Sequence, residues 1–123
     1  MGCPGTPQWE CVTESMDCTP LYEPTFDNVY ANTVTRSCGV GAGSCHGPNS
    51  TTGIDFTTIE ATYELLLGFG EQPAYVLPGD ANCSQLMIRI DQPDPLDTMP
   101  PGMPLDASER CAVRQWIDQG AQR

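Results

Sequence analysis

The chain has 123 residues, 39% hydrophobic and 7% aromatic, enough for one domain, or one domain with a short appendage, around a thin core. Sixteen acidic residues against five basic ones, all arginine, give a net charge of −11 and argue against nucleic-acid binding, because nothing could neutralise a run of phosphates. Seven cysteines, twelve prolines and twelve glycines point to short helices joined by loops and stapled in an oxidising compartment.

Residues 1–24 hold Cys3, Pro4, Pro7, Cys11, Cys18, Pro20 and Pro24 and sustain neither a helical nor a strand period. They read as an irregular arm, stapled by its own cysteines and packed through Trp9 and Tyr22. Residues 25–123 form the main domain. Thr25 is a good N-cap, and Phe26, Val29, Tyr30, Thr33 and Val34 then fall on one face of a helix that ends at Cys38-Gly39. Residues 39–53 carry five glycines and many Ser/Thr, which makes a loop. A capping box at Thr57-Thr58-Ile59-Glu60 opens a second helix with a stripe of Ile59, Tyr63, Leu66 and Leu67, stopped by Gly68. Phe69 and Tyr75 are expected to pack in the following loop.

A third, short helix is expected after Pro78-Gly79-Asp80, capped by Asp80 or Asn82, with Leu86, Met87 and Ile90 inward. Residues 91–104 contain five prolines and form a loop with Met99 and Met103. The last helix starts at Asp106 with Glu109 three residues on. Val113, Trp116, Ile117 and Gly120 form its inner face, with Cys111 beside it. No segment approaches the roughly 20 apolar residues that span a membrane. No secretion signal is legible, so Met1 is expected to follow a processed precursor or to be an added start. Gly2-Cys3 also sits as a lipid-bearing cysteine would after leader cleavage.

The stretch Cys38-Gly-Val-Gly-Ala-Gly-Ser-Cys45-His46-Gly47 holds the only histidine. Two cysteines ending in Cys-His are how a c-type haem attaches: the thiols add to the vinyl groups and the imidazole ligates the iron. The usual spacing is two residues between the cysteines, and here six intervene. Glycines at 39, 41 and 43 let the backbone coil so that Cys38 returns toward Cys45. His46 is the proximal candidate. Opposite it a thioether fits, and Met/His ligation raises the reduction potential. Met99 lies between stiffening prolines just before the last helix, with Met103 as the runner-up. Met87 falls in a helical stripe and reads as core.

Pro78-Gly79-Asp80, Ser84-x-Leu86, Met99-Pro100-Pro101 and Trp116-Ile117-Asp118-Gln119-Gly120-Ala121 resemble the C-terminal half of small class I c-type cytochromes of bacterial secreted proteins. With Cys45-His46-Gly47 added, the pattern is similar to cytochrome-like domains of myxobacteria and planctomycetes in which the first cysteine stands further from Cys-His. The resemblance covers residues 25–122. It implies an all-α, cytochrome c-like bundle of about four short helices around one haem c. Its roles are electron transfer without enzymatic activity, Cys38 and Cys45 as thioether anchors, His46 and Met99 as axial ligands, and Trp116, Tyr63 and Leu86 lining the cavity. The six-residue insert leaves three outcomes open: both thioethers form, only Cys45 is linked, or no haem binds.

If Cys38 and Cys45 hold haem, five cysteines remain. A pairing of Cys83 with Cys111 clamps two helices, a pairing of Cys11 with Cys18 closes a loop in the arm, and Cys3 is left for a lipid anchor or an interchain disulfide. If only Cys45 is linked, three disulfides form. Other readings are a Cys₃His zinc site, weakened by the absence of Cys-x₂-Cys knuckles, and hydrolysis by Cys45 and His46, weakened by the lack of an orienting third group. The alternative function is a cofactor-free, disulfide-stapled secreted module for adhesion or assembly. The electron-carrier reading implies redox protein partners in the periplasm or outside the cell, with tethering to the outer membrane or homo-oligomerisation as further expectations. The acidic surface reads as a solubility device or as steering toward a basic partner.

Overall fold

The computed structural model describes residues 11–12, 17–38, 58–69, 74–91 and 105–123, with the backbone alone for 35–38. Among them the structure is all-helical and contains no strand. Helix α1 (Phe26–Val29) continues into wider π-helical turns over Tyr30–Cys38, and α2 (Ile59–Leu67), α3 (Gln85–Ile90) and α4 (Ala107–Asp118) follow.

Thr25 caps α1 by accepting from the Asn28 backbone N–H at 3.3 Å, and the expected stripe is on the inside: Phe26, Val29, Thr33 and Val34 are buried. The π-helical turns were not legible, because a stripe spaced for 3.6 residues per turn does not report a local widening. Thr58 caps α2 through the Ala61 N–H. Gly68 closes that helix in the left-handed conformation, φ +78°, where glycine carries no Cβ penalty.

Helix α3 begins later than expected. Ser84, not Asp80 or Asn82, stands at its N-cap. Asp80 instead accepts from the Cys83 N–H, holding a turn one step earlier. The buried Ser84 hydroxyl donates to the Asp80 carbonyl and accepts from the Leu77 N–H, each at 2.8 Å. This polar residue therefore fixes how the turn meets the helix. Met87, Ile88 and Ile90 are buried, whereas Leu86 is half-buried. Asp106 is the N-cap of α4, as expected, but its side chain makes no cap bond. Glu109 does not complete a box either. It accepts from the Thr33 hydroxyl at 2.8 Å, and Tyr22 donates to Thr33 in turn at 2.6 Å, because the Thr33 proton is committed to the carboxylate.

The core gathers Phe26, Val29, Val34, Leu66, Val76, Met87, Ile90, Leu105, Val113, Trp116 and Ile117. Helix α4 is its centre. Trp116 packs against Phe26 and donates its indole N–H to the Gln122 carbonyl at 2.9 Å. Beyond α4 the chain reverses through Gly120 (φ +113°) and Ala121 (φ +50°). Ala121 is buried, and its carbonyl accepts from the Tyr63 hydroxyl at 2.9 Å.

The arm differs most from expectation. The bridges join Cys11 to Cys83 and Cys18 to Cys111, so the four cysteines are paired, but crosswise to the pairing within the arm and between helices. The physical reason is the path of the chain. Val12 N–H donates to the Asn82 carbonyl at 2.8 Å, and Leu21 N–H donates to the Ser108 carbonyl at 2.9 Å. These bonds lay the arm along the turn before α3 and the start of α4. Trp9 and Cys3 lie outside the described residues.

Candidate functional site

Cys45, His46, Met99 and Met103 lie outside the described residues, as does the side chain of Cys38. The structure therefore describes what surrounds and carries them. Cys38 is the last residue of the π-helical segment. Met99 and Met103 lie in segment 92–104, which leaves α3 at Asp91 and returns at Leu105.

The two bridges take four of the seven cysteines and leave Cys3, Cys38 and Cys45 outside them. This fits both the scheme in which Cys38 and Cys45 supply two thioethers and the one in which Cys45 alone is linked and Cys3 pairs with Cys38. Met87 is completely buried within the core, as its stripe implied. Met99 and Met103 remain the thioether candidates that stand beside the final helix in sequence. One imidazole, two cysteines outside the bridges and a soft sulfur form a donor set that suits haem c.

A porphyrin also requires apolar surface that the protein does not itself cover. Tyr30, Ile59, Tyr63, Leu67, Tyr75 and Leu86 are only partly buried against the core. Of the residues expected to line a haem, Tyr63 and Leu86 belong to this set, whereas Trp116 is buried under Phe26. Phe69, expected to pack inward, is 68% exposed. Its ring meets Tyr63 edge-on at 6.1 Å, and Tyr63 meets Phe26 edge-on at 5.1 Å. A chain of rings thus runs from the core to the surface. Partly buried apolar side chains of this kind are what a flat apolar group would pack against.

Sequence reasoning assigned no role to the arginines of α4. Arg114 is buried, and its guanidinium binds the Asp91 carboxylate and the Asn82 side-chain carbonyl. Arg110, one turn earlier, places Nε 3.0 Å from the other Asp91 oxygen and donates through NH1 to the Leu105 carbonyl. The legible signal was two arginines four residues apart, the second between Val113 and Trp116 on the inner face. A buried charge there requires a partner.

A second charged cluster ties the C-terminus to the helix starts. Arg123 pairs with Asp27 at 2.8 Å and with Glu60, and its guanidinium carbon stands 5.5 Å from the centre of the Phe26 ring. The hydrogen bond from Arg123 holds the Glu60 carboxyl below its usual value, and the two carboxylates raise the Arg123 guanidinium. Among the described residues no three His, Cys, Asp or Glu side chains converge as a metal site, and no helix is long and apolar enough to cross a membrane.

No curated protein and no solved structure matches the chain. The model of the family described as Planctomycete cytochrome C matches residues 43–102, a span that contains Cys45, His46 and Met99 but neither Cys38 nor α4. That match, over just under half of the chain, supports a likeness to the cytochrome c family. Over residues 43–102 the chain is similar to the planctomycete cytochromes c.

Proposed function

We propose that the protein is a monohaem electron carrier of the periplasm or the extracellular space, with haem c bonded to Cys45 and Cys38 and ligated by His46 and Met99. The observation that carries this reading is the family match running from just before Cys45-His46 to just after Met99. The bridges among the described residues use neither Cys38 nor Cys45 and are compatible with it. When bound, haem supplies a one-electron couple at its iron. The chain's own work is to hold and shield. Cys38 and Cys45 tether, His46 and Met99 present one nitrogen and one sulfur, and the half-buried rings of Tyr63 and Tyr75 exclude water, which tunes the potential. The exposed ring of Phe69 offers an apolar edge toward a redox protein partner. The carrier acts as an electron relay rather than as an enzyme.

The test is the visible spectrum of the protein produced with a cytochrome c maturation system. A Soret band that survives denaturation with the polypeptide supports the reading. Met99→Ala removes the sulfur–iron charge-transfer band. A band intact in that variant moves the ligand to Met103, and the absence of any Soret band leaves the cofactor-free secreted module as the function.

A further inference from the structure

We infer that the bridge between Cys11 and Cys83 is a thiol–disulfide exchange site, open to an external dithiol in the folded protein, whereas the bridge between Cys18 and Cys111 is closed to it. The inference does not depend on the haem reading.

Each bridge joins the arm to the helical body, but their surroundings differ. Cys11 is exposed and Cys83 is half-buried in the turn before α3. Cys111 is buried within α4, at 2% exposure. Cys18 is exposed, yet Gln115 covers its bridge. The Gln115 amide nitrogen donates to the Cys18 carbonyl at 3.1 Å. The same nitrogen stands 3.5 Å from Cys111 Sγ and 3.8 Å from Cys18 Sγ.

Exchange needs access for the attacking thiolate and a leaving sulfur that tolerates negative charge. At the first bridge both conditions are met: solvent reaches Cys11, and Cys83 leaves from a half-buried turn. At the second, attack on Cys18 would expel a thiolate from Cys111 inside α4, where burial disfavours charge. In the exchange, a thiolate of the dithiol bonds to Cys11 Sγ, the Cys11–Cys83 bond breaks, and Cys83 leaves as thiolate and takes a proton from water. The second thiol of the reagent, as thiolate, then attacks the reagent's own bonded sulfur and expels Cys11. The reagent ends as a disulfide, and the two protein sulfurs gain its two electrons.

The opening stays local because other bonds hold the same turn. Ala81 N–H donates to Asp118 Oδ1 at 2.8 Å, Arg114 binds the Asn82 side chain, and the Ser84 hydroxyl donates to the Asp80 carbonyl. The arm keeps its bond from Leu21 to Ser108 and its bridge from Cys18 to Cys111.

The experiment uses the full chain without denaturant, with free thiols first blocked by N-ethylmaleimide. Dithiothreitol is added, and samples are quenched in acid over time, unfolded, alkylated with iodoacetamide and mapped by peptide mass spectrometry. Cys11 and Cys83 are expected to label together, at least about tenfold faster than Cys18 and Cys111, whose exchange must wait for the structure to open. The helical circular dichroism stays unchanged while the first pair reacts. Urea below the unfolding midpoint speeds the second pair and leaves the first nearly unchanged. A smaller ratio, the reverse order, or loss of helical signal with the first pair overturns the inference.

Discussion

Phe26 and Trp116 meet with ring centroids 5.1 Å apart, so the first turn of α1 is held by the last turn of α4. Both rings are almost fully buried. Phe26→Ala removes the contact to Trp116 and the edge-on contact to Tyr63 together. It is expected to cost about 3–5 kcal/mol, a large part of the stability of a domain with so thin a core. Phe26→Leu, which keeps most of the volume, costs less than about 1.5 kcal/mol. The midpoints of urea unfolding check both values.

The bridge between Cys18 and Cys111 closes a separation of 93 residues, and that between Cys11 and Cys83 closes 72. Replacing Cys18 and Cys111 together by serine is expected to cost about 2–4 kcal/mol. The pairing itself is checked by non-reducing peptide mapping. A peptide joining Cys11 to Cys18 would contradict the arm's path across α3 and α4.

Gly68→Ala meets two obstacles at once. The position has φ +78°, and an added Cβ would stand 2.9 Å from Ala74 Cβ. The expected cost exceeds the roughly 1 kcal/mol of placing alanine in the left-handed conformation alone. Thermal unfolding of the variant checks it, and an unchanged melting temperature would contradict the packing of residues 74–76 against the end of α2.

The Glu60 carboxyl titrates below its usual value because Arg123 bonds it. A lowered folded-state value means that the contribution of this pair is present above the unfolded carboxylate range and is lost as pH falls through the folded value. The pair is exposed, so salt weakens it. Carbon-detected NMR titration is expected to show Glu60 returning to the usual carboxylate value in Arg123→Gln.

Local features of the fold were legible and long-range ones were not. The caps at Thr25 and Thr58, the start of α4 after Asp106, the stop at Gly68 and the buried stripe of α1 follow from spacing and side-chain chemistry within a few residues, whereas the expected Asp106 cap bond does not form. Asp80 was a good cap in sequence, but Ser84 has the additional bond to Leu77 that sets the start of α3. The four bridged cysteines were identified and their pairing was not, because it depends on backbone bonds between Val12 and Asn82 and between Leu21 and Ser108. Phe69 looked like a packing residue and is exposed, since hydrophobic character alone does not say which side of a chain reversal a ring takes. Cys45, His46 and Met99 lie outside the described residues, and the Arg110 contact to Asp91 and Leu105 needed the structure.

The central claim is that Cys38 and Cys45 are committed to one haem while four other cysteines are bridged. Thiol mapping of the matured protein tests it most directly. Alkylation before reduction is expected to leave Cys38 and Cys45 unlabelled with one haem mass retained, and reduction is expected to expose Cys11, Cys18, Cys83 and Cys111. Alkylation of both Cys38 and Cys45 on a chain carrying no haem mass would contradict it.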